Sequence, residues 1–330
     1  MRLIIKYLSL LVVVVVVVVM GVVMGIVEAG GGLSYDFYKD SCPEVENIVK
    51  TAVQPIFLTD PTASSAFLRF IFHDCQVQGC DASLLLDSGD QNMGPEMESI
   101  RNFGIKKRES IGHIKFLVES ECPGQVSCAD VLALASKEAV SFAGGPSFRI
   151  PLGRRDATSS SKEMADAHLP AHSINVDELL NVFMPKGMDL QEIVAILGAH
   201  TLGVGHCLNI VDRLYNPEEG EEYTDFSHQF LLRLACPTRV PFTNLTFALN
   251  DLTPIIFDNQ YYRDVMNGKG LFGVDSNIGM DERTRPIVEQ FAEDQDTFFQ
   301  VFSSAFVKLS TTNVLTGDKG QIRRQCNRVN

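Results

Sequence analysis

From Val45 onward the apolar side chains recur at Val45, Ile48, Val49, Ala52, Val53, Ile56 and Phe57, in steps of three and four that align them on one helical face. The same period predicts helices over 111–118, Cys128–Phe142, Val176–Phe183, Leu190–Leu197 and 287–309, with a further amphipathic run over 61–72. Pro43, Pro61, Pro123, Gly144-Gly145-Pro146, Pro170, Pro185-Lys186-Gly187 and Pro254 punctuate these runs and mark their ends. Alternating strand patterns are short and few. The expectation is a mainly α fold with minor β, one compact helical domain of two lobes, with solvated loops at 159–163 and 218–222.

The first 29 residues stand apart. Arg2 and Lys6 precede an apolar run from Leu8 to Val27 that is rich in valine, and the small residue Ala29 follows. That is the layout of a secretory signal peptide, with removal after Ala29 and a mature domain over 30–330. The run is also long enough to span a bilayer, so an uncleaved anchor is the alternative. No second run approaches spanning length, which makes the mature protein a soluble one. A formal net charge of −13 excludes nucleic acid and anionic membrane as partners, because phosphate surfaces need a cationic counterpart.

Eight cysteines follow the leader, at 42, 75, 80, 122, 128, 207, 236 and 326. In an oxidising compartment an even set reads as four disulfides, with the pairing open, and the absence of a CxxC pair argues against zinc. Asn244-Leu245-Thr246 is a glycosylation sequon.

The densest chemistry lies in Arg69-Phe70-Ile71-Phe72-His73-Asp74-Cys75, followed by Gly79-Cys80-Asp81-Ala82-Ser83. On a helix, Arg69 and His73 project from one face within reach of one small substrate, although an isolated pair of this kind is usually ordinary structure. Asp74, Asp81 and Ser83, with the carbonyls of Val77 and Gly79, offer the hard oxygen donors that calcium takes. Cys75 and Cys80 are close enough to bridge and clamp that loop. His200, in Gly198-Ala199-His200-Thr201, lies on the same face as Val194 and Leu197 and is either a core histidine or an axial ligand.

Six motifs share one resemblance: FHDCQVQGCDAS (72–83), QVSCADVLALAS (125–136), GGPSFRIPLGRRD (144–156), LGAHTLGVGHC (197–207), FDNQYY (257–262) and GQIRRQC (320–326). Together they resemble the plant secretory, or class III, haem peroxidases over almost the whole mature chain. The resemblance implies a two-lobed helical fold with haem b between distal and proximal helices, and an enzyme that reduces hydrogen peroxide while oxidising phenolic donors in successive one-electron steps. It implies His73 as distal base, Arg69 as its cationic partner, Asn102 as the amide fixing the imidazole, Glu96 as a supporting carboxylate and Phe72 as the distal cover. His200 matches the iron ligand and Asp275 its hydrogen-bond partner. A neutral imidazole can take a proton from one peroxide oxygen and return it to the other, whereas Arg69 keeps its charge.

The resemblance further implies two calcium sites. One uses Asp74, Val77, Gly79, Asp81 and Ser83, with Glu96 alongside. The other uses Thr201, Thr253, Ile256 and Asp258, where Asn250 stands at the offset the family fills with Asp and Asp251 is one place later. Either Asn250 supplies a neutral oxygen or a local shift brings in Asp251. The implied disulfides are Cys42–Cys122, Cys75–Cys80, Cys128–Cys326 and Cys207–Cys236. Pro170 resembles the residue whose carbonyl meets phenolic donors, while His172 and Asn209 depart from the family pattern there. The implied setting is a monomer secreted to the apoplast or cell wall. A haem-binding, wall-associated protein with weak turnover is the alternative.

Overall fold

The computed structural model describes residues 32–89, 94–217, 223, 225–239 and 245–330. The leader, the 218–222 loop and Asn244 lie outside them. In chain order the helices are α1 (Val45–Thr59), α2 (Ala63–Gln76), α3 (Arg108–Glu121), α4 (Cys128–Phe142), α5 (Lys162–His168), α6 (Val176–Phe183) and α7 (Leu190–Leu197). They continue as α8 (Val211–Tyr215), α9 (Phe226–Ala235), α10 (Gln260–Met266), α11 (Gly273–Met280), α12 (Arg285–Glu293) and α13 (Gln295–Ser310). Two short strands, β1 (Val204–His206) and β2 (Phe247–Leu249), pair antiparallel with Gly205 opposite Ala248.

α4 is the hub. Its alanines at 129, 133, 135 and 139 are all buried, so both α1 and α2 pack directly against its backbone. Ser127 caps its first turn by accepting from Asp130 N–H at 3.0 Å. The Asp130 carboxylate then accepts from Tyr38 Oη at 2.7 Å, Gly153 N at 2.7 Å and Arg154 Nη1 at 2.8 Å. On the other side α13 packs on α7 and α10 on α12. One large apolar core runs through these helices, and a smaller one gathers Cys207, Ile210, Leu214, Tyr223, Cys236 and Leu271.

Two expectations are corrected. The 287–309 stripe is two helices, because Asp294 leaves helical geometry (φ −123°, ψ 94°) and caps α13 by accepting from Thr297 N–H. The stripe stays continuous because both helices face one core. The 159–163 stretch is solvated only in part: Ser159, Lys162 and Glu163 are exposed, but Ser160 and Ser161 are buried, the first accepting from Glu96 N–H at 3.0 Å and the second capping α5. Serines that read as loop are here consumed by main-chain donors.

Four disulfides join Cys42–Cys122, Cys75–Cys80, Cys128–Cys326 and Cys207–Cys236, the four pairs that the resemblance implies. The 321–327 stretch folds back across the molecule, with Arg323 Nη2 donating to Ala82 O at 2.6 Å and Asp87 N to Asn327 O at 2.9 Å.

Candidate active site

α2 carries Arg69 and His73 one turn apart, and two 3-10 turns, Glu96–Glu98 and Ile100–Asn102, bring Asn102 beside them. His73 Nδ1 lies 2.6 Å from Asn102 Oδ1, and Asn102 Nδ2 donates to Glu96 O at 2.6 Å. A main-chain carbonyl can only accept, so the amide must face Glu96 with nitrogen and His73 with oxygen. His73 therefore carries its proton on Nδ1 and turns an Nε2 lone pair toward Arg69, whose Nε donates to it at 3.2 Å. Arg69 Nη2 is anchored on Phe103 O at 3.0 Å.

Burial first, and then the Arg69 charge, lower the His73 pKa from 6.5 to about 3, so the ring is neutral over the whole physiological range. Phe72 is half-buried, its ring edge-on to His73 at 5.5 Å. The expectation for Glu96 is corrected here. It supports Asn102 through its carbonyl, because the amide nitrogen needs an acceptor that the turn already presents, while its carboxylate lies in electrostatic reach of Asp74 and Asp81.

On the other side α7 delivers His200. The Asp189–Glu192 capping box starts that helix with two reciprocal 2.9 Å bonds. Its end is set by Gly198, where a Cβ would meet Phe298 at 2.5 Å and Tyr262 Oη at 2.6 Å. The chain tightens there into the 3-10 turn Gly198–Thr201, which lies against α2. His200 Nδ1 sits 2.9 Å from Asp275 Oδ1. Asp275 also accepts from Phe272 N–H at 2.8 Å and from Tyr261 Oη at 2.9 Å. With its Nδ1–H spent on the carboxylate, His200 keeps Nε2 as a lone pair that has no hydrogen-bond partner among the described residues. The ring is 33% exposed although Asp275 behind it is 1% exposed. Tyr261 and Phe272 are the partners that sequence reasoning missed. Tyr261 was in view inside FDNQYY, but nothing in that motif says where its hydroxyl points.

Two oxygen-rich clusters flank these histidines. Beside His73, Asp74 accepts from Ala82 N–H at 2.9 Å and Leu84 N–H at 3.4 Å, and Asp81 from Ser83 N–H at 3.1 Å. The turn requires Gly79 at φ +144°, where a Cβ would strike Asn313 O at 2.2 Å. Burial, reinforced by Asp81 and Glu96, raises Asp74 well above the carboxylate range; burial takes Asp81 to about 6 and Glu96 to about 8. Among the described residues Ser83 Oγ and Glu96 Oε2 are buried with no hydrogen-bond partner.

In the second cluster Thr201 Oγ1 lies 2.7 Å from Asp251 Oδ2 and 3.1 Å from Asp258 Oδ1, and Thr253 Oγ1 lies 3.1 Å from Asp258 Oδ1. Ile256 N–H closes the adjoining turn onto Thr253 O at 2.8 Å. Asp251, not Asn250, meets Thr201. Asn250 turns its amide to Leu202 O at 2.8 Å, because β1–β2 pairing holds it beside that carbonyl. Pro170 and Asn209 are half-buried, and His172 O accepts from Val274 N–H at 3.0 Å, tying the Pro170 segment to α11.

Residues 46–294 match the family model described as Peroxidase. The chain is 50% identical over 302 residues to Peroxidase 29 of Arabidopsis thaliana, covering 90% of this chain and 89% of that protein. The chain belongs to the plant class III peroxidases. Peroxidase 42 of Arabidopsis thaliana is 41% identical, with 92% of each chain covered. Peroxidase 2 of Oryza sativa subsp. japonica is 39% identical, covering 92% of this peroxidase and 94% of that one. Membership makes this peroxidase an enzyme of hydrogen peroxide and a reducing donor, with haem as its cofactor, and the weak-turnover alternative is not favoured. The donor set fits haem, since Asp275 holds the His200 ring by Nδ1 and leaves Nε2 as the nitrogen that would bind iron. No helix among the described residues is long and apolar enough to cross a membrane.

Proposed function

We propose that the peroxidase works through His73 and Arg69 above a haem held by His200, oxidises small phenolic donors beside Pro170, and is secreted as a glycosylated monomer stabilised by two calcium ions. The observation that carries this reading is the fixed tautomer of His73, whose Nε2 lone pair faces the half-buried Arg69 guanidinium. When bound, haem supplies the iron at which the peroxide O–O bond breaks and where two oxidising equivalents are held. His73 Nε2 takes the proton from one peroxide oxygen and returns it to the other, which leaves as water. Arg69 steadies the negative charge that gathers on the departing oxygen. Asn102 keeps the imidazole from turning, and Asp275 keeps the His200 lone pair aimed outward. Over a full cycle one hydrogen peroxide and two donors give two waters and two donor radicals, each donor losing one electron and one proton.

His73→Ala should lower the bimolecular rate with peroxide by about 10²–10⁴-fold in stopped-flow absorbance, with haem still bound. A variant as fast as the parent would overturn the assignment.

Calcium is supported by the chemistry of both clusters: three buried carboxylates repel one another in the first, and Ser83 Oγ and Glu96 Oε2 beside them have no hydrogen-bond partner among the described residues. Among the described residues no three His, Cys, Asp or Glu side chains converge closely enough to hold a metal by themselves, so carbonyl and hydroxyl oxygens must complete each site. In the second cluster Asp251, Asp258, Thr201 and Thr253 are the donors, with the Ile256 carbonyl. Calcium at about 100 times its Kd contributes about 3 kcal/mol, so chelation should lower Tm by several degrees and readdition should restore it. An unchanged melting curve would remove structural calcium.

A further inference from the structure

Asp275 is almost wholly enclosed, and three donors converge on its carboxylate. Phe272 N–H occupies Oδ2. His200 Nδ1 and Tyr261 Oη both occupy Oδ1, each at 2.9 Å. We infer that Tyr261 is a positioning residue for the proximal pair, its hydroxyl sharing the Asp275 oxygen that His200 uses and thereby setting how far the His200 proton is drawn toward that carboxylate. The inference rests on the reading of His200 and Asp275 as the iron's proximal pair.

Two donors on one carboxylate oxygen divide its negative charge. Each bond makes the oxygen a weaker acceptor for the other, so Tyr261 moderates the imidazolate character that Asp275 confers on His200. A more anionic imidazole is a stronger ligand to iron and favours the ferric state; the Tyr261 bond would therefore hold His200 short of full strength as a ligand.

The geometry leaves Tyr261 little freedom to do otherwise. Its ring stands edge-on to His200 at 5.9 Å and to Tyr262 at 4.9 Å, and it is 3% exposed. The neighbouring Tyr262 donates from its own hydroxyl to Val194 O or Ala195 O, at 3.0 and 3.1 Å, on α7, the helix that ends in the His200 turn. Successive tyrosines of α10 thus hold both ends of one arrangement: Tyr262 grips the helix that presents the histidine, and Tyr261 grips the carboxylate behind it. The separation between His200 and Asp275 is fixed from α10 as well as from the two elements that carry them.

Tyr261→Phe keeps the ring and deletes the donor. In the haem-loaded ferrous protein the iron–histidine stretching band should move to higher frequency by resonance Raman, and the ferric/ferrous midpoint should move to more negative potential. Asp275→Asn, measured alongside, should move both in the opposite direction. If Asp275→Asn shifts the band and Tyr261→Phe does not, Tyr261 is packing only and the inference falls. If neither shifts it, His200 and Asp275 are not the proximal pair, and the underlying reading falls with the inference. Should Tyr261→Phe not fold, 3,5-difluorotyrosine placed at 261 gives a stronger donor; the band should then move to lower frequency, and no movement would equally overturn the inference.

Discussion

The base role proposed for His73 rests on two different neighbours at its two nitrogens. Asn102 takes the proton-bearing side, and Arg69 faces the lone pair. The peroxide reaction should therefore hold a flat rate from about pH 7 down to about pH 4 and fall only as pH approaches 3, the folded-state pKa. Stopped-flow rates across that range check it; an acid limb near the ordinary histidine value of 6.5 would contradict it. Stability carries the same sign. Above about pH 6.5 the ring is neutral folded or unfolded and its contribution is full, whereas below it the unfolded chain takes a proton that the folded chain refuses, and stability drains away toward pH 3. At this scale the sequence is legible where a motif fixes both residue and neighbour, as for Arg69 and His73. It is illegible where a contact is made by main chain, as at Glu96 O, or by a hydroxyl from another helix, as at Tyr261.

Helices announce themselves when both an apolar stripe and a cap are local. α4, α6 and α7 match their sequence-derived limits because Ser127, Asn175 and Asp189 each cap within three residues. α12 and α13 merge in the sequence because a single non-helical residue, Asp294, does not interrupt the stripe. The α5 start was hidden because its cap, Ser161, sits among other serines. One long-range device leaves no periodic signal at all. Arg213 of α8 donates from Nη1 toward Gly270 O at 2.6 Å, Leu271 O at 3.0 Å and Phe272 O at 3.1 Å, and lies 3.8 Å over the Tyr223 ring. It holds the segment whose Phe272 N–H meets Asp275. Arg213→Lys cannot reproduce that fork, so unfolding by denaturant should show a loss of about 1–3 kcal/mol.

Across the whole molecule the widest covalent link is Cys128–Cys326, which spans 198 positions. In the chain-entropy model it contributes about 5 kcal/mol, so the Cys128→Ala, Cys326→Ala double variant should melt far below the parent, by up to that amount in denaturant titration. A loss under about 1 kcal/mol would mean the unfolded chain is already compact. The same return of the chain has a consequence in time. Ala82 O, at the turn beside His73, receives its hydrogen bond from Arg323, 241 positions later. At roughly 5–20 residues per second, a ribosome needs on the order of 10–50 s to cover that interval. Throughout it the loop that holds Asp74 and Asp81 exists without Arg323 from the far end of the chain, so the turn beside His73 is among the last parts of the nascent protein to set.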